Sequence, residues 1–335
     1  YAEAVLAQKT RVKNEDGQYL GGPVYYIRTA FQGSLGKFLA AFFAIAIILA
    51  LGFTGCMVQS NSIGSTFSTA FGVPSGIDGI ILVAVCGFIF VGGVQRLASV
   101  TEKLVPIMAA VFLLGGVVVL IARIQYVPAT FGMIFKYAFQ PQAIVGGAFG
   151  TALKAAISQG AKRGLFSNEA GMGSTPHAHA RATAENPHKQ GLCAMISVFI
   201  DTFVILNLTV FSVLTTGALE SGKNGTALTQ AAFMKGFGTF GIVFVAVCLL
   251  FFAFSTILGW HFFGLINAKY LFGDKAAKVY SLLVVACIII GSALKLELVW
   301  DLADFFNGLM VIPNAMALLA LSGLVVKICN KYSDK

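Results

Sequence analysis

Ala161-Lys162-Arg163-Gly164-Leu165-Phe166-Ser167-Asn168-Glu169-Ala170-Gly171-Met172-Gly173-Ser174-Thr175-Pro176 decides how this chain is read. An apolar approach over 143–157 runs into glycines, a proline, and charged and amide side chains. Glycine costs a helix about 1 kcal/mol per residue, so one unbroken helix does not run through this stretch. A helix broken inside a membrane exposes backbone N–H and C=O groups that can hold an anionic group or a cation. The plainer alternative is a cytoplasmic loop.

The composition places that break in a membrane. Of 335 residues, 57% are hydrophobic and only 11% charged, with a mean hydropathy of +0.84. A soluble domain carries about 25% charged residues. This chain cannot cover a water-facing surface, which excludes a soluble enzyme and a nucleic-acid module. Apolar runs fall at 38–70, 77–95, 104–123, 143–165, 190–216, 237–263, 277–294 and 298–326. At ~20 apolar residues per crossing, they predict an all-α polytopic membrane protein of about eight transmembrane helices.

The net charge of +9 is read through orientation, because Lys and Arg collect in cytoplasmic loops. Counting the segments that flank the runs, fourteen fall on one side and five on the other. The richer side is assigned to the cytoplasm, which also receives the C-terminus. The aromatic connection 124–142 then lies outside and is suited to a short surface helix. The six cysteines have no metal-ligand spacing, so neither a transition-metal site nor disulfides are expected. The opening Tyr1–Ala7 reads as the end of a helix, so the chain is expected to be truncated at its start.

Polar groups inside apolar runs are the informative ones. Gln59 and Asn61 sit midway along 38–70, where facing a cavity and packing between helices are both open to them. Ser255 and Thr256, deep in 237–263, offer the hard oxygens that suit Na⁺. The plain alternative is a hydroxyl bonded to its own helix. Trp260, one turn on, reads as a pocket wall or an interfacial anchor. Asp201 lies deep in its run, whereas Asp301 and Asp304 fall near an outside end and read as solvated. His177, His179 and His188 read as loop residues. No phosphate-cradling motif is present.

The stretch 161–174 resembles the signature of the alanine or glycine:cation symporter family. So do Tyr1-Ala-Glu-Ala, Gly21-Gly22-Pro23-Val24-Tyr25-Tyr26, Met57-Val58-Gln59-Ser60-Asn61-Ser62 and Thr101-Glu102-Lys103-Leu104-Val105-Pro106, in order along nearly the whole chain. The resemblance implies a LeuT-like fold of the APC superfamily, with two inverted five-helix repeats. Residues 1–142 would be the remainder of the first repeat, lacking its first helix and most of its second. Residues 143–326 would be the complete second repeat, and 327–335 a cytoplasmic tail.

The implied function is secondary active symport of alanine- or glycine-type small neutral amino acids with Na⁺, H⁺ being a possible companion. The implied setting is the plasma (inner) membrane, with lipid, amino acid and Na⁺ as the partners. No cofactor, nucleic acid or obligatory protein partner is implied. Gln59, Asn61, Gly171, Met172, Gly173 and Trp260 would contact the amino acid, and Ser255 and Thr256 the Na⁺. Lys162, Arg163, Asn168 and Glu169 would brace the cytoplasmic gate. Cys56, His177, His179 and His261-Phe262-Phe263 depart from the usual pattern. The alternatives are an intramembrane enzyme, for which no nucleophile–base set stands out, and a passive channel.

Overall fold

The structure is a computed structural model that describes residues 1–13, 17–91, 93–139 and 149–333. The described chain is helical apart from a two-residue ladder pairing Val12 with Leu20 and Lys13 with Tyr19. The first half comprises α1 (Ala2–Thr10), α2 (Pro23–Ala30), α3 (Gly33–Ile47), α4 (Cys56–Phe71), α5 (Ser75–Val91), α6 (Gly93–Ala122) and α7 (Val127–Phe139). The second comprises α8 (Phe149–Asn168), α9 (Pro176–Arg181), α10 (Pro187–Phe199), α11 (Asn207–Thr215) and α12 (Gly225–Phe237). It closes with α13 (Thr239–Phe272), α14 (Ala276–Ala293), α15 (Leu296–Ala320) and α16 (Ser322–Ser333).

Local chemistry sets the ends of these helices. Asn186 caps α10 by accepting the Lys189 N–H at 2.9 Å, and Pro187 follows as the first helical residue, where no N–H is missed. Gly72 closes α4 at φ 69°, and Gly273 follows α13 at φ 77°. Two π-helical stretches join helices into longer rods: Ile48–Gly55 between α3 and α4, and Ile200–Leu206 between α10 and α11.

Among the described residues, six helices are long and apolar enough to cross a membrane: Gly33–Phe71, Ser99–Ala122, Pro187–Thr215, Thr239–Phe272, Ala276–Ala293 and Glu297–Ala320. Of the other two apolar runs, 77–95 forms the shorter α5, and 143–148 lies outside the described residues. The last run does not continue to 326. It stops at Leu321, and α16 begins a separate helix that packs on α1 and α10. The aromatic connection forms α7, with Phe131, Phe135 and Tyr137 exposed.

α13 is the central helix, packed against α4, α6, α12 and α14. Its Ile257, Leu258 and Trp260 join Phe43, Ile47 and Leu51 in the main core. The outer faces carry bare apolar side chains, among them Leu319, Leu282 and Phe88, each about 70% or more exposed. In water such surface would be costly; in hydrocarbon it is the ordinary covering of a helix bundle. One end of the bundle gathers α1, α2, α9, α16 and the close of α13, and the other gathers α7, α12 and the start of α15.

Candidate functional site

The helix carrying the signature breaks where its glycines lie. α8 ends at Asn168, and Glu169 follows at φ 57°, a left-handed backbone that costs a non-glycine residue energy. Gly171 and Gly173 take φ 88° and 83° without that penalty, and α9 starts at Pro176. A Cβ on Gly173 would come within 2.9 Å of Phe43 and Pro23, so the turn is also pressed against α2 and α3.

The backbone groups released by the break are taken up by side chains from distant elements. Glu3 of α1 accepts the N–H of Gly171 on one carboxylate oxygen and that of Gly173 on the other, both at 2.8 Å. The Asn314 amide of α15 donates to Glu3 Oε1 at 2.7 Å and to the Gly171 carbonyl at 2.9 Å. The Tyr26 hydroxyl donates to Asn314 Oδ1 at 2.5 Å. Asn168 accepts the Ala170 N–H at 3.0 Å. Buried polar groups need partners, and here one carboxylate and one amide supply most of them.

Glu169 ties the break to α13. Its carboxylate accepts the Trp260 indole N–H at 2.5 Å and the Ser174 hydroxyl on the other oxygen. Trp260 meets Phe166 edge-on, with centroids 5.4 Å apart. Its ring lies over Gly55, the last residue of the first π-helical stretch, where a Cβ would approach it to 2.6 Å. The close pairing continues at Cys56, whose Sγ lies 4.0 Å from the Ile257 carbonyl. α4 and α13 run antiparallel. Gln59 therefore stands one turn beyond Gly55, on the level of Thr256, one turn before Trp260. Both are half-buried.

The remaining sequence candidates take definite places. Asn61 donates to the carbonyls of Gly291 and Leu294, at 2.9 and 2.7 Å, and so closes the end of α14. Ser255 and Thr256 both donate to the Phe252 carbonyl, at 2.9 and 2.8 Å, the local arrangement open to hydroxyls in helices. Met172 is buried, and its N–H reaches the Glu169 carbonyl at 3.1 Å.

Three readings are corrected. Lys162 and Arg163 do not brace the end of the bundle that holds α9. Both face Asp304 in the first half of α15, at 3.6 and 2.8 Å, on the opposite side of the break. Asp304 is accordingly paired, with 12% of its side chain exposed, rather than solvated. His177 is no loop residue. It is fully buried between Phe43 and Phe263, with Nδ1 at 2.7 Å from the Ser174 carbonyl and Nε2 at 2.8 Å from the Asn267 amide. A carbonyl only accepts, so Nδ1 carries the proton and Nε2 accepts. Burial lowers the His177 pKa to about 4. Burial lowers His179 likewise to about 4; its Nδ1 meets Gln190 at 2.8 Å.

Glu3, Tyr26 and Asn314 were not among the sequence candidates for the site. The available signals were a lone acid in the apolar α1 and an amide directly after Pro313 in an apolar helix.

The profile of the sodium:alanine symporter family matches residues 1–335. The chain belongs to that family. It is 38% identical over its full length to the sodium/alanine symporter AgcS of Methanococcus maripaludis, covering 74% of that protein. It is 36% identical over its full length to the amino-acid carrier protein AlsT of Bacillus subtilis, covering 70%. It is also 39% identical over 99% of its length to a Bacillus subtilis protein named "Probable sodium/glutamine symporter GlnT", covering 68%. The family and these relatives are transporters, so the enzyme alternative falls away. With its apolar helices, this member is a multi-pass membrane protein whose class couples transport to Na⁺.

Proposed function

We propose that this symporter moves a small neutral amino acid, alanine or glycine, together with Na⁺ by alternating access in a LeuT-like scaffold of two inverted five-helix repeats. The second repeat would occupy 143–326, and the first would contribute through 1–142. The observation that carries the reading is the break at 169–175, held open in left-handed backbone and linked through Glu169 to Trp260. A helix interrupted at mid-depth is where secondary transporters place substrate and ion. Gln59 and Thr256 stand on neighbouring turns of the same pair of packed helices. In this reading Gln59 presents an amide to the polar end of the amino acid and Trp260 bounds its apolar end. Thr256, whose hydroxyl proton is held by Phe252, turns its oxygen lone pairs toward Na⁺, with Ser255 beside it.

The two sides of the break support a rocking motion. On the α9 side, Gln8 donates to the carbonyls of His179 and Ala182, at 2.5 and 2.9 Å, and Arg11 to those of Ala180 and Ala182, at 3.1 and 3.0 Å. The opposite side is joined by the Lys162/Arg163–Asp304 pairs. By the charge count the α9 end, with the C-terminus, faces the cytoplasm of a plasma (inner) membrane.

The test is uptake of labelled alanine into proteoliposomes with and without an inward Na⁺ gradient. Accumulation against the alanine gradient is expected only with Na⁺, and uptake indifferent to both Na⁺ and H⁺ would indicate a facilitator or channel. Thr256→Val keeps the shape and deletes an oxygen. It should shift Na⁺ activation to higher concentration, and by linkage weaken alanine affinity at fixed Na⁺. An unshifted Na⁺ curve in both Thr256→Val and Ser255→Ala sinks the cation assignment.

A further inference from the structure

The first turn of α6 holds a cation against a lipid-facing ring. Arg96 folds its guanidinium back over Phe88, the carbon centre lying 4.7 Å from the ring centroid. Its Nη1 donates to the Phe88 carbonyl at 2.9 Å, near the end of α5. Phe88 is 69% exposed, one of the bare apolar side chains that lipid must cover. A long cationic side chain ordinarily carries its charge out to water. Here the ring and the carbonyl fix it at the apolar boundary instead, and a planar guanidinium matches the oxygens of a phosphate.

Lys103, from the motif Thr101-Glu102-Lys103-Leu104-Val105-Pro106, stands on the same face of α6. Seven residues fall only about 20° short of two helical turns. Lys103 is exposed, one turn inside the apolar span Ser99–Ala122. A lysine facing hydrocarbon is costly unless its ammonium reaches the head-group level. Side chains on a helix lean toward its N-terminus, so the Lys103 stem leans back toward Arg96. Among the described residues no acid lies within 4 Å of either cation. Glu102 points about 100° away round the helix. Beyond Lys103 the face continues as Ile107, Leu114 and Ile121, each about two-thirds exposed, with Val111 and Val118 between them. That stripe runs about 21 Å, against ~15 Å of hydrocarbon in one leaflet.

We infer that this face of α6 seats an anionic phospholipid, its phosphate between Arg96 and Lys103 and an acyl chain along Ile107, Val111 and Leu114. The occupant is a lipid rather than a soluble phosphate because the two cations head an apolar stripe. It is anionic rather than zwitterionic because the face carries two cations and no carboxylate to meet an ammonium head. The inference rests on the membrane setting alone and borrows neither the amino acid nor the ion of the proposed function.

The experiment introduces an indole on the stripe, Ile107→Trp, in the full protein reconstituted into vesicles, and reads its quenching by phospholipids with brominated chains. The native tryptophans give a background that the parent measures. Brominated phosphatidylglycerol, diluted in plain phosphatidylcholine, should quench the new indole at a mole fraction about tenfold lower than brominated phosphatidylcholine needs. Arg96→Gln and Lys103→Gln should each weaken that preference about fivefold. Lys103→Arg should keep it. Lys327→Gln, which removes a cation from α16, should leave it unchanged, and so should excess inorganic phosphate. Equal quenching of every variant by brominated phosphatidylcholine shows that the face still lies in lipid and the fold is intact. The inference is overturned if the two lipids quench alike, or if the preference survives loss of both Arg96 and Lys103. It is overturned equally if Lys327→Gln erodes the preference as much, or if inorganic phosphate abolishes it. Na⁺-driven uptake is read separately, so either outcome leaves the proposed function standing.

Discussion

Two of the helix interruptions, Ile48–Gly55 and the break at 169–175, are resolved in opposite ways. In Ile48–Gly55 the backbone stays hydrogen-bonded within its own rod: the Cys56 N–H reaches back to Leu51, and Thr54 donates to the carbonyls of Leu49 and Ala50, at 3.0 and 2.8 Å. Its glycines serve close approach, Gly52 against the Tyr280 hydroxyl and Gly55 against Trp260. At 169–175 the backbone is no longer self-sufficient: Asn168 accepts one N–H at the end of its own helix, and Glu3 and Asn314 hold the rest from other helices. A π-helical stretch is a rigid shape built into one rod. A break sewn by side chains of other helices has a conformation that depends on where those helices stand. The second kind of interruption is the one able to respond when helices rock.

The largest expected effect tests that dependence. Glu3→Ala removes the acceptor of two backbone N–H groups and of the Asn314 amide. At about 1–3 kcal/mol for each orphaned group, the loss should be about 4 kcal/mol. A thermal-unfolding series in detergent, with size exclusion to follow the folded fraction, reads it. Glu3→Gln keeps one oxygen but turns an NH₂ toward an N–H, so it should fall between parent and Glu3→Ala. Equal stability in all three would mean that the break holds itself, as the π-helical stretch does.

A matched pair of glycine substitutions sharpens the contrast. Gly173→Ala imposes a left-handed backbone on alanine, about 1–2 kcal/mol, and drives a Cβ against Phe43 and Pro23. Overpacking adds about 1–3 kcal/mol, so a loss of about 3 kcal/mol is expected. Gly55 is helical at φ −62°. There alanine gains about 1 kcal/mol of propensity, which offsets much of the clash with Trp260. Gly55→Ala should thus cost less than Gly173→Ala, and where it displaces the indole from Glu169 it should lower transport. Thermal stability and alanine uptake, measured on both variants, read the two effects separately.

What the sequence revealed follows the range of the interactions involved. The break was legible because glycine density and a left-handed turn are local properties of 160–176. The apolar spans were legible because lipid dictates composition residue by residue. Glu3 was not, because its role rests on groups 168 and 170 positions away, and Asn314 stands farther still. Lys162 and Arg163 were given to the cytoplasmic gate by the resemblance alone, because nothing near them in the sequence points to Asp304 on α15. The π-helical stretches have no composition of their own. Asn61 was open to both cavity and packing roles, and only the end of α14 beside it shows its amide occupied.

The smallest expected effect comes from the fastening of α9, one step from the break. His177 sits neutral between Phe43 and Phe263, its pKa lowered by burial to about 4 from an ordinary value near 6.5. The unfolded chain binds a proton at this histidine below pH ~6.5, whereas the folded one resists until pH ~4. Its contribution is therefore complete above pH ~6.5, and it declines as pH falls through the window to ~4. Between pH 7 and pH 5 the linkage amounts to about 2 kcal/mol, seen as a falling unfolding temperature. His179 adds in the same direction, while the carboxyls of Glu3 and Glu169, pushed up by burial, act against both, so the His177 share is read from the difference between parent and variant. His177→Gln cannot titrate and should flatten the curve by the His177 share, at some cost in stability at pH 7 from the lost stacking. Gly22→Ala, whose Cβ would meet the imidazole at 2.6 Å, loosens the same packing without removing the titrating group. It should keep a pH dependence, shallower because a ring nearer water regains an ordinary pKa. If His177→Gln and the parent decline in parallel, the imidazole already meets solvent, and the α9 side of the break is open rather than fastened.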